Sequence, residues 1–137
     1  MTLHINIDGA ARGNPGPASL GVVVNDPAGK RLGQCGRCLG AQTNNTAEYE
    51  ALLEALRLAE QLGGKKLVIR SDSQLLVRQF NGQYRVKQPH LQQLHSRALQ
   101  LARKFESVEL IHVPREENRE ADLLANEALD AEAGKTI

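Results

Sequence analysis

"TNNTAEYEALLEALRLAEQLGG", residues 43–64, decides how the rest of the chain is read. Ala and Leu recur at helical spacing and a glycine pair closes the run, which predicts a helix over 45–62. At about 100° per residue, Ala51, Leu52, Ala55, Leu56, Ala59 and Leu62 share one face. Glu50, Glu54, Arg57, Glu60 and Gln61 take the opposite face, toward water. Glu48 breaks the pattern. It projects into the apolar stripe, on line with Leu52, Ala55 and Ala59, so a helix that sorts its other charges outward aims one carboxylate at the core.

Upstream, "LHINID" (3–8) alternates, with Leu3, Ile5 and Ile7 on one face and His4, Asn6 and Asp8 on the other. "GNPGPA" is a turn-rich loop, and "SLGVVVND" and "KRLGQCGRCLG" read as two strands joined by "NDPAGK". Downstream come a β-rich run "KKLVIRS", a short helix in "DSQLLVRQFNG", and a longer one in "PHLQQLHSRALQLARKF". "SVELIHV" makes a fifth strand and "NREADLLANEALDAEA" a last helix. The order βββαβααβα implies an α/β fold: a five-stranded mixed sheet, three strands antiparallel and two parallel, flanked by helices.

The 137 residues suit a single domain over 1–137. With 41% apolar residues and no Trp, the core must be aliphatic, and base stacking on aromatic platforms is disfavoured. A net charge of +1 gives no general pull toward nucleic acid or membrane, which leaves room only for a local site. No apolar run approaches the roughly 18–20 residues needed to span a bilayer, and "MTLHINIDGAARG" lacks a secretory head, so a cytoplasmic location is expected. Cys35 and Cys38 form a lone C-x-x-C, half a zinc site at best, in a stretch that reads as strand. They are expected to be reduced thiols on a hairpin.

Open α/β sheets gather their sites at the carboxyl ends of parallel strands. Asp8 ends strand one, Asp72 lies just beyond strand four, Asp122 is early in the last helix, and Glu48 is in the first turn of its own. Each acid has a purely structural alternative. Glu48 follows Asn45 by three residues, as in a capping box; Asp72 could start a helix; Asp122 could answer a helix dipole; Asp8 could serve a turn. None of these explains the convergence. Four ionised carboxylates in one place repel strongly, and Arg12 and Arg115 are the only nearby basic candidates. A hard divalent cation supplies the missing charge, and all-oxygen ligands select Mg²⁺ or Mn²⁺ over zinc.

Together, "DGAARGNPGPA", "TNNTAEYEAL", "SDSQ" and "HVPREENREADLLANEA" resemble, in order, the motifs of type 1 ribonuclease H, most closely its short archaeal and bacterial branch. The resemblance implies a ribonuclease H-like fold and hydrolysis of the RNA strand of an RNA–DNA hybrid, leaving 5′-phosphate and 3′-hydroxyl ends. It implies two Mg²⁺ or Mn²⁺ ions held by Asp8, Glu48, Asp72 and Asp122, with Asp8 as the bridge. Gly9, Asn14, Thr43, Asn44 and Asn45 would contact substrate, the asparagines in the minor groove and Thr43 at a DNA-strand phosphate. Glu48 would also accept from an RNA 2′-hydroxyl, the group that separates RNA from DNA.

The chain departs from many relatives in three ways. His112, a candidate for the mobile residue that aids product release, falls inside strand five; the resemblance to the short branch implies that the Arg of "VPRE" takes that role, which makes Arg115 the first choice. A basic helical insertion is absent, leaving only Arg85 and Lys87 in 81–90. Ala41 stands where some relatives carry Arg. The expected partner is the hybrid duplex, with no membrane, no obligatory protein partner and a monomeric state. Rival readings are a non-cleaving hybrid-binding module, a ribonuclease H-like nuclease that also cuts double-stranded RNA, and a DNA-cutting relative of the transposases.

Overall fold

Three strands linked as hairpins open the computed structural model, which describes residues 1–135: β1 (Thr2–Ala11), β2 (Gly16–Asn25) and β3 (Arg31–Gln42). Helix α1 (Asn44–Gln61) follows, then β4 (Lys66–Ser71), α2 (Gln74–Phe80), α3 (Pro89–Ala102), β5 (Ser107–His112), and α4 (Arg119–Lys135) after a short 3-10 turn at Arg115–Glu117. The predicted order holds. In the sheet the strands run β3-β2-β1-β4-β5, antiparallel through β1 and parallel from β1 to β5.

The alternation of β1 sorts its two faces. Leu3, Ile5 and Ile7 are fully buried in the core shared with α1. The other face lies under α4. Asp8 pairs with Gly21, and Gly21 with Gly36, so the three stand in one row on that face. A Cβ on Gly21 would lie 2.1 Å from the Ala121 carbonyl oxygen, and one on Gly36 2.9 Å from that of Leu124. Only glycine lets the helix backbone come this near. Buried Ser19 adds a hydrogen bond to the Ala125 carbonyl at 2.6 Å.

Helix α1 is more enclosed than a one-sided stripe implies. Tyr49 and Leu53 are buried along with Leu52, Ala55, Leu56 and Ala59, because α3 packs along its flank. Each fully buried leucine contributes about 1.5–3 kcal/mol. The helix stops at the glycine pair. Gly63 takes φ +75°, its N–H donates to the Glu60 carbonyl, and the Gly64 N–H reaches back to that of Ala59. This double bond to the last turn is open to a residue that tolerates the left-handed region.

Cys35 and Cys38 are free thiols on β3. Cys35 packs against the α1-side core, whereas the Cys38 thiol donates to the Ala128 carbonyl of α4 at 3.1 Å. They lie on opposite sides of the sheet, so this C-x-x-C joins nothing. Among the described residues no helix is long and apolar enough to cross a membrane.

Candidate active site

Strand register brings the first acids together. The β1–β4 ladder ends at the Ile7–Ser71 pair, and the β4–β5 ladder at Ser71–His112. Asp8 and Asp72 each follow one residue past that row, which sets them abreast where the strands part. Glu48 reaches the same point from the α1 side, passing Gly9. A Cβ on Gly9 would lie 2.3 Å from the Glu48 nitrogen, so glycine allows the start of α1 to rest on β1. The Gly9 N–H donates to Glu48 Oε1. Ligand oxygens of Asp8, Glu48 and Asp72 all lie within 4.8 Å of one another. Asp122, in the first turn of α4, stands outside that trio but lines the same cleft and raises the Asp8 carboxyl.

Three of the four structural alternatives fail. Asp8 lies within β1, which runs on to Ala11, and not in a turn. The N-cap of α1 is Thr43, whose hydroxyl accepts from the Thr46 N–H at 3.2 Å, so Asn45 and Glu48 form no capping box. Ser73, not Asp72, caps α2 by accepting from Leu76 N–H. Asp122 does stand in the first turn of α4, as the dipole reading requires, and it also lines the cleft with Asp8 and raises its carboxyl.

Electrostatics record the crowding. Asp8 and Glu48 are 5% and 8% exposed. Burial, then the charges of Glu48 and Asp72, push Asp8 up to about 9. Burial, then Asp72, push Glu48 up to about 8, against the Gly9 N–H, which lowers it. Asp72 is raised by burial and Asp122, while Arg115 and His112 pull it down. Without a counter-charge the cluster keeps protons that ordinary carboxyls lose near pH 4. A divalent cation relieves the same strain, and the all-carboxylate donor set fits a hard one.

Of the two nearby arginines, Arg115 Nη2 lies 3.7 Å from Asp122 Oδ2, while Arg12 turns away to Asp130 at 2.6 Å. His112 closes β5 and is exposed rather than packed. Asn44, Asn45 and Arg115 line an open cleft of about 470 Å³ around the acids. Asn14 Oδ1 accepts from the Asn44 N–H at 3.0 Å, tying the β1–β2 loop to the start of α1. Thr43 and Asn45 are exposed beside them.

Sequence reasoning missed two residues. Asn126 Nδ2 donates to Asp122 Oδ1 at 3.1 Å and to its carbonyl at 2.9 Å, one helical turn on. Its signal was the four-residue spacing from Asp122. Asn118, 1% exposed, donates from Nδ2 to the Ile7 carbonyl at 2.8 Å. Nothing local announced that contact, which joins residues 111 apart.

A family model described as reverse transcriptase-like matches residues 6–128. The ribonuclease HI of Halobacterium salinarum is 43% identical over 93% of this chain and 64% of its own length. A bifunctional protein of Mycobacterium tuberculosis is 41% identical over 97% of this chain and 37% of its own. The chain thus spans less than two thirds of either relative. The crystal structure of the Halobacterium salinarum RNase H1 matches with a TM-score of 0.93 and 42% identity, covering 96% of this chain and 99% of that one. LC11-RNase H1, solved in complex with RNA/DNA hybrid, matches at 0.92 and 40% over 96% and 99%.

Proposed function

We propose that this chain, which belongs to the type 1 ribonuclease H family, hydrolyses the RNA strand of RNA–DNA hybrids as a single catalytic domain, leaving 5′-phosphate and 3′-hydroxyl ends. One observation carries the reading: three carboxylates with oxygens within 4.8 Å of one another, two of them almost wholly buried. Such a group is suited to holding divalent cations against a phosphate backbone. A module that only bound the hybrid would gain nothing by setting negative charge there.

Asp8, Glu48 and Asp72 would hold one Mg²⁺ or Mn²⁺, and Asp8 with Asp122 a second. When bound, the ions neutralise the acids, lower the pKa of an attacking water and stabilise the leaving oxygen. The protein's part is placement. The end of the β1–β4 ladder fixes Asp8 beside Asp72, and the Gly9 N–H orients Glu48. Glu48 then also faces an RNA 2′-hydroxyl, and Asn14, Asn44 and Asn45 track the minor groove, with Gly9 also against substrate and Thr43 near a DNA-strand phosphate. Arg115, exposed and near Asp122, is the candidate for easing product away, ahead of His112.

The test is one gel. End-labelled hybrid, duplex RNA and duplex DNA are each incubated with Mg²⁺, with Mn²⁺ or with chelator. Metal-dependent cutting of the RNA strand of the hybrid is expected, with duplex DNA intact. Binding without cutting would instead identify a non-cleaving module, and cut duplex RNA would widen the substrate range.

A further inference from the structure

We infer that Asn118 is a positioning residue for the reaction: its buried side chain sets the spacing between Asp8 and Asp122, acids that come from opposite ends of the chain. The inference rests on the cation site proposed above. Asn118 sits where the 3-10 turn passes into α4, and four of its polar groups are engaged. Nδ2 donates to the Ile7 carbonyl at 2.8 Å, and Oδ1 accepts from Asn6 Nδ2 at 3.0 Å. Its main-chain carbonyl accepts from the Asp122 N–H at 3.2 Å, and its own N–H donates to the Arg115 carbonyl at 2.9 Å. One residue therefore grips the position before Asp8, the turn of helix that bears Asp122, and the turn that bears Arg115.

The chemistry suits an amide. Ile7 is the last residue of β1 paired with β4, and the carbonyl there is buried. A group facing it must donate, while the Asn6 Nδ2 that points at residue 118 calls for an acceptor. Asn does both in one plane; Asp could not donate to a carbonyl once ionised, and Ser has no second arm. Another side-chain tie from sheet to α4, Ser19 to the Ala125 carbonyl, lies farther along the helix, past Asp122. Its side chain anchors β2, rather than the strand that carries Asp8, to the helix.

Calorimetric titration with Mn²⁺, paired with metal-free melting, tests this on the wild type and on Asn118→Ala, Asn6→Ala and Ser19→Ala. Loss of a group that orients metal ligands weakens metal affinity about 10- to 100-fold, and that is the expectation for Asn118→Ala. Its turnover should recover at high metal, with KM for the hybrid unchanged. Asn6→Ala should weaken Mn²⁺ binding less, in the same direction, and it decides the matter if Asn118→Ala does not fold. Ser19→Ala should lower the melting temperature and leave Mn²⁺ affinity close to wild type. Wild-type affinity in both asparagine variants overturns the inference, as does an equal loss in Ser19→Ala. Absence of saturable Mn²⁺ binding in the wild type is a different result, and it overturns the cation site itself.

Discussion

Gly9 donates its backbone N–H to the carboxylate of Glu48, 39 residues further along the chain. The contact exists because Gly9 has no side chain. An added Cβ would fall 2.3 Å from both the Ala47 carbonyl carbon and the Glu48 nitrogen, and backbone cannot step aside as a flexible side chain would. Gly9→Ala must therefore lift the start of α1 off β1. Overpacking of this kind costs about 1–3 kcal/mol, and hybrid cleavage should be lost with it. Denaturant unfolding and a cleavage assay check the two effects; an alanine variant matching wild type in both would disprove the account.

Stability of the metal-free protein should fall as pH rises. Asp8 and Glu48 hold their protons in the folded state to about 9 and about 8, while the unfolded chain releases them near 3.8 and 4.5. Between those values the folded state binds more protons than the unfolded one, so the slope of stability against pH is negative. The loss begins above about pH 4 and is complete near pH 8–9. Melting curves in chelator across that window are the measurement, and added Mg²⁺ should raise the melting temperature most at the alkaline end.

Removing one charge from the cluster should separate stability from activity. Asp72→Asn keeps the shape of the side chain while relieving repulsion with its neighbours. Turnover should drop on the order of 10²-fold or more, as for other groups that stabilise charge at a reacting centre. Metal-free melting should hold or rise, and Asp8→Asn should behave alike. Unchanged turnover in Asp72→Asn would remove this residue from the site.

Arg115 and His112 compete for one role. Both lower the Asp72 carboxyl by their charge, but Arg115 also stands 3.7 Å from Asp122 and is 77% exposed. His112 is fixed to the sheet by its place at the end of β5. Arg115→Ala should slow steady-state turnover more than His112→Ala, with single-turnover cleavage less affected. The reverse ranking would hand the role to His112.

Periodicity made the elements legible. The alternation Leu3, Ile5, Ile7 and the helical spacing of Ala51 to Ala59 follow directly from strand and helix geometry, and these residues are buried as read. Glu48 was legible for the same reason, as a charge on the wrong face. What could not be read depends on neighbours distant in sequence. Tyr49 and Leu53 are buried because α3 covers them. Glu54, placed toward water by the wheel, is partly enclosed between Arg37 and Arg57. The cap of α1 falls at Thr43 because β3 holds the chain extended through Gln42, although Asn45 is an equally good capping residue. Asn118 is the clearest case, since its partners are set by where two strands part company.

The bond from Asn118 to Ile7 closes a circuit between the first strand and the last helix. A growing polypeptide displays Asp8, then Glu48, then Asp72, yet the quartet stays unfinished until α4 has left the ribosome and docked. Any cation site that needs all four acids therefore forms in one late step, after the first turn of α4 has emerged.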